Sequence, residues 1–113
     1  MKITLFLLLK AAPSWLRLSR AARREISEAA LAAVLGKGDV TFRHFDAEAF
    51  HAQISDVAMI EADTADAAYF TIERLRDSAL IADEFFSVEG IIPCFENGFR
   101  QFEAQAAAAA DAA

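Results

Sequence analysis

Five residues able to move protons or ligate a metal fall in one short stretch: His44, Asp46, Glu48, His51 and Asp56. Imidazole and carboxylate are the usual general bases of proton-transfer chemistry, so His44 and Asp56 are the candidates for a catalytic base. His44 and Asp46 stand two apart and share a sheet face if the strand carries that far. Two imidazoles with three carboxylates would also suit zinc or non-haem iron, with His44 and His51 as the nitrogen ligands. The spacing matches no strong metal signature, so the sequence predicts no metal, and a loop held by local hydrogen bonds is the simpler reading.

Further polar groups lie apart in sequence. Arg43 and Glu61 fall near the ends of two predicted strands, where a structural ion pair is expected should those strands be neighbours. Trp15 and Tyr69, the single indole and phenol, combine an apolar body with a polar tip and suit an interface or a pocket mouth. Cys94 has no histidine near it in sequence to activate it as a nucleophile. Glu96 and Asn97 precede Gly98 in a predicted turn. Glycine-rich phosphate loops, nucleophile elbows and paired-cysteine motifs are all missing, and no cofactor is expected.

These residues need elements to position them. Ile3–Leu9 is apolar at nearly every position and too short for a typical helix, which predicts a central strand covered on both faces. Pro13 breaks the chain, and Ser14–Leu18 forms a turn or one loose helical turn. Ser19 then caps a helix over Arg20–Leu35, with Ala22, Ile26, Ala30, Ala33 and Val34 as its apolar stripe. Gly36 stands where a left-handed residue would end it. Val40–Phe45 and Ile54–Glu61 read as strands, with Asp46–Gln53 between them as a loop. Asp63 or Thr64 caps a second helix over Ala65–Leu80. Phe85–Ile92 reads as a last strand, ended by Pro93. The order β-α-β-β-α-β is that of ferredoxin-like folds, an α+β sandwich whose helices cover one sheet face. The second apolar face of the first strand then calls for another subunit, as in a dimeric α/β barrel.

Length and composition bound the rest. A chain of 113 residues is one domain in size, expected over 1–103, with 104–113 as an alanine-rich tail. Ten phenylalanines are many for so small an interior and point to an exposed apolar patch. The net charge of −6 speaks against a nucleic-acid partner. Arg17, Arg20, Arg23 and Arg24, the one basic cluster, reads as a solvated helix face. The apolar run is too short to span a bilayer, and a lone cysteine fits a reducing, cytoplasmic compartment.

Several segments resemble the darcynin family of small bacterial proteins: Trp15-Leu16-Arg17-Leu18-Ser19, Arg43-His44-Phe45-Asp46-Ala47-Glu48-Ala49-Phe50, Ser55-Asp56-Val57, Tyr69, Leu75-Arg76-Asp77, Pro93 and Glu96-Asn97. The resemblance implies a relative of the dimeric α/β-barrel folds. It implies no catalytic residues, though Arg43, Asp46, Glu48, Asp56 and Glu96 become candidates for a shared site. Ala58 and Ile60 stand where such proteins are expected to carry aromatic residues, which implies a pocket of different shape.

The expectation is therefore a homodimer whose helices and sheet enclose a site for a small organic molecule, either a binding domain or a small enzyme. Ligand-contact candidates are Trp15, Arg43, Asp46, Glu48, Tyr69 and Glu96. The alternatives are a structural or protein-interaction domain without ligand, and a cofactor-free monooxygenase-like enzyme.

Overall fold

The computed structural model describes residues 1–36 and 38–112. The aliphatic run becomes β1 (Ile3–Ala11), two residues longer than expected because Lys10 and Ala11 pair with Ser87 and Phe86 of the last strand. Proline opens the short helix α1 (Pro13–Leu16), where its missing N–H costs nothing. Then α2 (Arg20–Leu35) follows the predicted limits, with Ser19 Oγ accepting from the Ala22 amide at 3.1 Å. Gly36 is not the left-handed residue expected of it. Its φ is −63°, and Gly38 is left-handed instead, with φ 71°.

The remaining elements are β2 (Val40–Asp46), β3 (Asp56–Ala62), α3 (Ala65–Asp77), α4 (Ala79–Ala82), β4 (Phe86–Cys94) and α5 (Gly98–Ala112). Thr64 Oγ1 caps α3 by accepting from the Ala67 amide. The helix predicted to reach Leu80 stops early because Ser78 turns extended and its hydroxyl donates to the Leu75 carbonyl at 2.6 Å, a local bond that competes with the helix. Strand β4 passes through Pro93 instead of ending there, since β4 is a sheet edge and an edge tolerates a missing donor. The boundary expected at residues 103 and 104 falls inside α5; residue 113 of the expected tail lies outside the described residues.

The strands run antiparallel in the order β2-β3-β1-β4, so the first and third strands are central, as predicted. Register places Leu5, Leu7 and Leu9 beside Ile60, Ala58 and Asp56, and these in turn beside Phe42, His44 and Asp46. That face meets the helices. Its core is Leu5, Leu7, Ala58, Ile60 and Ala62 from the sheet, with Val34 from α2 and Ala67, Ala68 and Leu75 from α3. Arg74 braces the two helices, donating to the Val34 carbonyl at 2.9 Å and to the Thr71 hydroxyl.

On the opposite face, register gathers Phe6 and Leu8 of β1, Val57 and Met59 of β3, Phe45 of β2 and Ile92 of β4. This face carries Arg43 and Glu61 too, but the predicted ion pair does not form. Arg43 opposes Met59 and lies 5.0 Å from the Phe45 ring centre, while Glu61 takes Lys2 at 3.4 Å. An edge arginine finds the aromatic ring two residues along its own strand nearer than the carboxylate. Helix α5 has no buried residue and presents Phe99 and Phe102, with Phe95 just before it, to solvent. The radius of gyration is 17.3 Å, against about 13 Å for a compact domain of this length.

Candidate functional site

A cavity of about 210 Å³ lies between the sheet and the helices. Its floor is Leu7 and Leu9 of β1, Phe42 and His44 of β2, and Asp56, Ala58 and Ile60 of β3. Helix α2 supplies Ser27, Leu31 and Val34, α3 Leu75, and α4 Leu80 and Ile81; Trp15 and Phe86 close one end. A cavity of about 150 Å³ accepts benzene, so this one matches a single ring with a few substituent atoms. Ala58 creates the space. It sits centrally between Leu7 and His44 on neighbouring strands and brings only a methyl group to the floor.

Two local devices aim the end wall. Strand β4 holds one extra residue opposite the Leu8–Leu9 step, so that Leu8 faces Gly90 but Leu9 faces Val88. Side chains alternate along a strand, and a regular register would put Phe86 on the other sheet face. The bulge turns it inward, 4.9 Å from the Trp15 ring centre, with Phe85 at 5.5 Å. Arg23 fixes α1 from the other side: its guanidinium donates to the Trp15 and Leu16 carbonyls at 3.1 and 2.6 Å, satisfying a short helix's free acceptors.

The titratable groups of the cavity belong to a chain of hydrogen bonds. His44 Nε2 lies 2.7 Å from Asp56 Oδ2. The other oxygen, Oδ1, accepts from the Ser55 hydroxyl at 2.6 Å, and Ser55 Oγ accepts the Ala11 amide at 2.7 Å. Asp56 is thereby held by the backbone of the central strand and in turn orients the imidazole. His44 lines the cavity while its side chain is 41% exposed, whereas Asp56 is 16% exposed. The imidazole thus lines the cavity without being shut off from solvent.

Asp46, two residues along β2 from His44 and paired in register with Asp56, joins them, its Oδ1 3.9 Å from His44 Nε2. The ligand atoms of His44, Asp46 and Asp56 all lie within 4.8 Å of one another, a one-imidazole, two-carboxylate set of the kind that suits iron(II), manganese or zinc. His51, the other nitrogen considered for a metal, is outside that set. Its Nδ1 accepts the Gln53 and Ile54 amides and shapes the loop between β2 and β3.

Of the candidates named from the sequence, the fold brings together Trp15, His44 and Asp56, with Asp46 alongside. Glu48 is exposed in the loop, Arg43 is on the opposite sheet face, and Tyr69 is 62% exposed on α3 beside Phe70. Glu96 borders a separate surface recess with Met1, Lys2, Thr4 and Glu61. Sequence reasoning missed Ser55 and Phe86. Ser55 directly precedes Asp56 and reads as an ordinary strand residue, and the inward turn of Phe86 depends on a bulge that alternation does not reveal.

The architecture is a ferredoxin-like α+β sandwich with one four-stranded antiparallel sheet. In shape it is similar to chlorite dismutase from Candidatus Nitrospira defluvii in complex with imidazole, with a TM-score of 0.69 at 11% identity over 81% of this chain. The chain spans only 38% of that protein's length, and at such identity the likeness concerns the fold. The family is set by sequence: a profile of darcynin, described as a domain of unknown function, matches residues 1–112, and the chain belongs to this family. It is 49% identical to a darcynin of Chromobacterium violaceum over 69 residues, 61% of this chain and 87% of the relative. To darcynin 1 of Acinetobacter baumannii it is 34% identical over 87 residues, 76% of this chain and 97% of the relative. No helix among the described residues is long and apolar enough to cross a membrane.

Proposed function

We propose that the protein is a homodimeric domain that binds a small, largely apolar organic molecule between helices and sheet, with His44 and Asp56 as the polar end of its site. The observation that carries this reading is the coincidence of an apolar cavity of single-ring size with a backbone-anchored histidine–carboxylate pair in its lining. Ligand sites elsewhere share that make-up: mostly apolar walls and a few convergent polar groups. The same pair equips the site for a proton transfer in which His44 takes a proton from the ligand and Asp56 stabilises the resulting imidazolium, which extends the reading to a small enzyme. The three-residue cation set is a further option of the same corner.

The dimer rests on the uncovered sheet face. Phe6, Leu8, Val57, Met59 and Ile92 form a contiguous apolar surface on the side away from the helices, and such surfaces mark interfaces. A free thiol at Cys94 suits a cytoplasmic setting.

Ring-sized hydrocarbons test the cavity. Toluene should give saturation-transfer NMR signals with the native protein, and Ala58→Phe should abolish them while leaving the circular dichroism unchanged, because the added ring occupies the space above the floor. Equal signals from both proteins would place toluene elsewhere and contradict the reading.

A further inference from the structure

Resting on that reading of the cavity, we infer that the ligand is a neutral single-ring compound bearing a carbonyl or hydroxyl oxygen, and that the Trp15 indole N–H donates to this oxygen. Trp15 is the chain's one tryptophan and is 9% exposed in the cavity wall. An indole nitrogen is a donor only, and a buried one normally finds an acceptor. Among the described residues, the hydrogen bonds at Trp15 involve its backbone: the amide donates to Ala12 and the carbonyl accepts from Arg23 and Leu18. Among those residues its indole N–H meets no protein acceptor. No side-chain nitrogen or oxygen among the described residues is both fully buried and unpaired, so that N–H keeps accessible surface, on a residue that borders the cavity.

The position is held firmly enough to select. Phe85 and Phe86 pack on the indole, and Arg23 clamps the carbonyls of α1. A fixed donor with no protein partner discriminates through the group it leaves unpaired when the wrong ligand binds. Charge narrows the class further. Among the described residues no lysine or arginine lines the cavity, and its one basic group, His44, is already hydrogen-bonded to Asp56, so a ligand carboxylate would be desolvated beside a carboxylate. A neutral oxygen is what the wall accommodates.

Acetophenone and α-methylstyrene, nearly identical in shape, differ by an oxygen in place of a methylene. Calorimetry should give acetophenone about tenfold tighter binding than α-methylstyrene, the effect of one neutral hydrogen bond, with benzoate weaker than acetophenone. In Trp15→Phe the tenfold preference should shrink to less than about twofold, since the ring stays and the donor goes. A measurement independent of that variant's folding is the single indole N–H cross-peak in a ¹⁵N spectrum. It should move downfield with acetophenone and stay nearly still with α-methylstyrene. Equal affinities with an unmoved indole peak would overturn the donor assignment and leave the cavity reading standing. Tighter binding of benzoate would overturn the neutral-ligand assignment. Failure of both neutral compounds to bind would sink the cavity reading and this inference with it.

Discussion

Leu7→Ala should destabilise the protein by about 3 kcal/mol, within the span of about 2–5 kcal/mol for buried leucine truncations. Leu7 is completely buried on the central strand, paired with Ala58 on one side and Ile91 on the other. Its loss removes apolar contacts and joins new empty volume to a cavity that is already there. The neighbours are poorly placed to collapse into the gap, because Ala58 is small and His44 is tethered to Asp56. In a domain of this size the melting temperature should fall by roughly 10–20 °C, measured by calorimetry on the monomer or at fixed dimer concentration. A loss below about 1 kcal/mol would mean that β1 is not the centre of the core.

Met59→Arg should leave the fold intact and break the dimer. Met59 faces away from the helices, opposite Phe6 on β1 and Arg43 on β2. In a lone subunit an arginine there reaches water at little cost. Between two sheets it is a buried, unpaired charge next to Arg43, worth about 3 kcal/mol or more, which weakens association by about two decades. Light scattering over a dilution series should show a native dimer and a monomeric variant with the same circular dichroism. A native monomer, or a variant that dimerises as tightly, would contradict the use of this face. The long axis of 63 Å and the exposed Phe99 and Phe102 of α5 leave further apolar surface for such a partner to cover.

Much of the architecture was legible in the residues because periodicity and capping agreed with the final packing. The limits of α2 and the central places of β1 and β3 follow from one apolar stripe, one serine cap and one doubly apolar strand. Misreadings sit where a local hydrogen bond or an edge overrides the general rule. Ser78 captures the Leu75 carbonyl and ends α3, Pro93 survives inside β4 because nothing needs its amide, and Gly36 stays right-handed.

The site was legible only in part. His44 and Asp56 stand out by chemistry, and register brings them onto adjoining strands, yet their contact is a diagonal that spacing alone does not give. Trp15 is conspicuous as the one indole, but its place against Phe86 requires the β4 bulge. Arg43, Glu48, Tyr69 and Glu96 are as polar or aromatic as the residues that do converge, and only their places in the fold, on the other sheet face, in a loop, on the outside of α3 and beside a separate recess, set them apart. The alanine at 58 carries the least chemistry and has the largest effect on shape, since it is the missing side chain that leaves room for a ligand.

Native mass spectrometry of the protein purified from cells, repeated after denaturation, reads out both subunit number and bound ligand. The expected species is a dimer carrying a small extra mass of single-ring size per chain, released on denaturation and reduced in Ala58→Phe. A species with the mass of the polypeptide alone, which also takes up neither acetophenone nor toluene when these are added in excess, would contradict the proposed function.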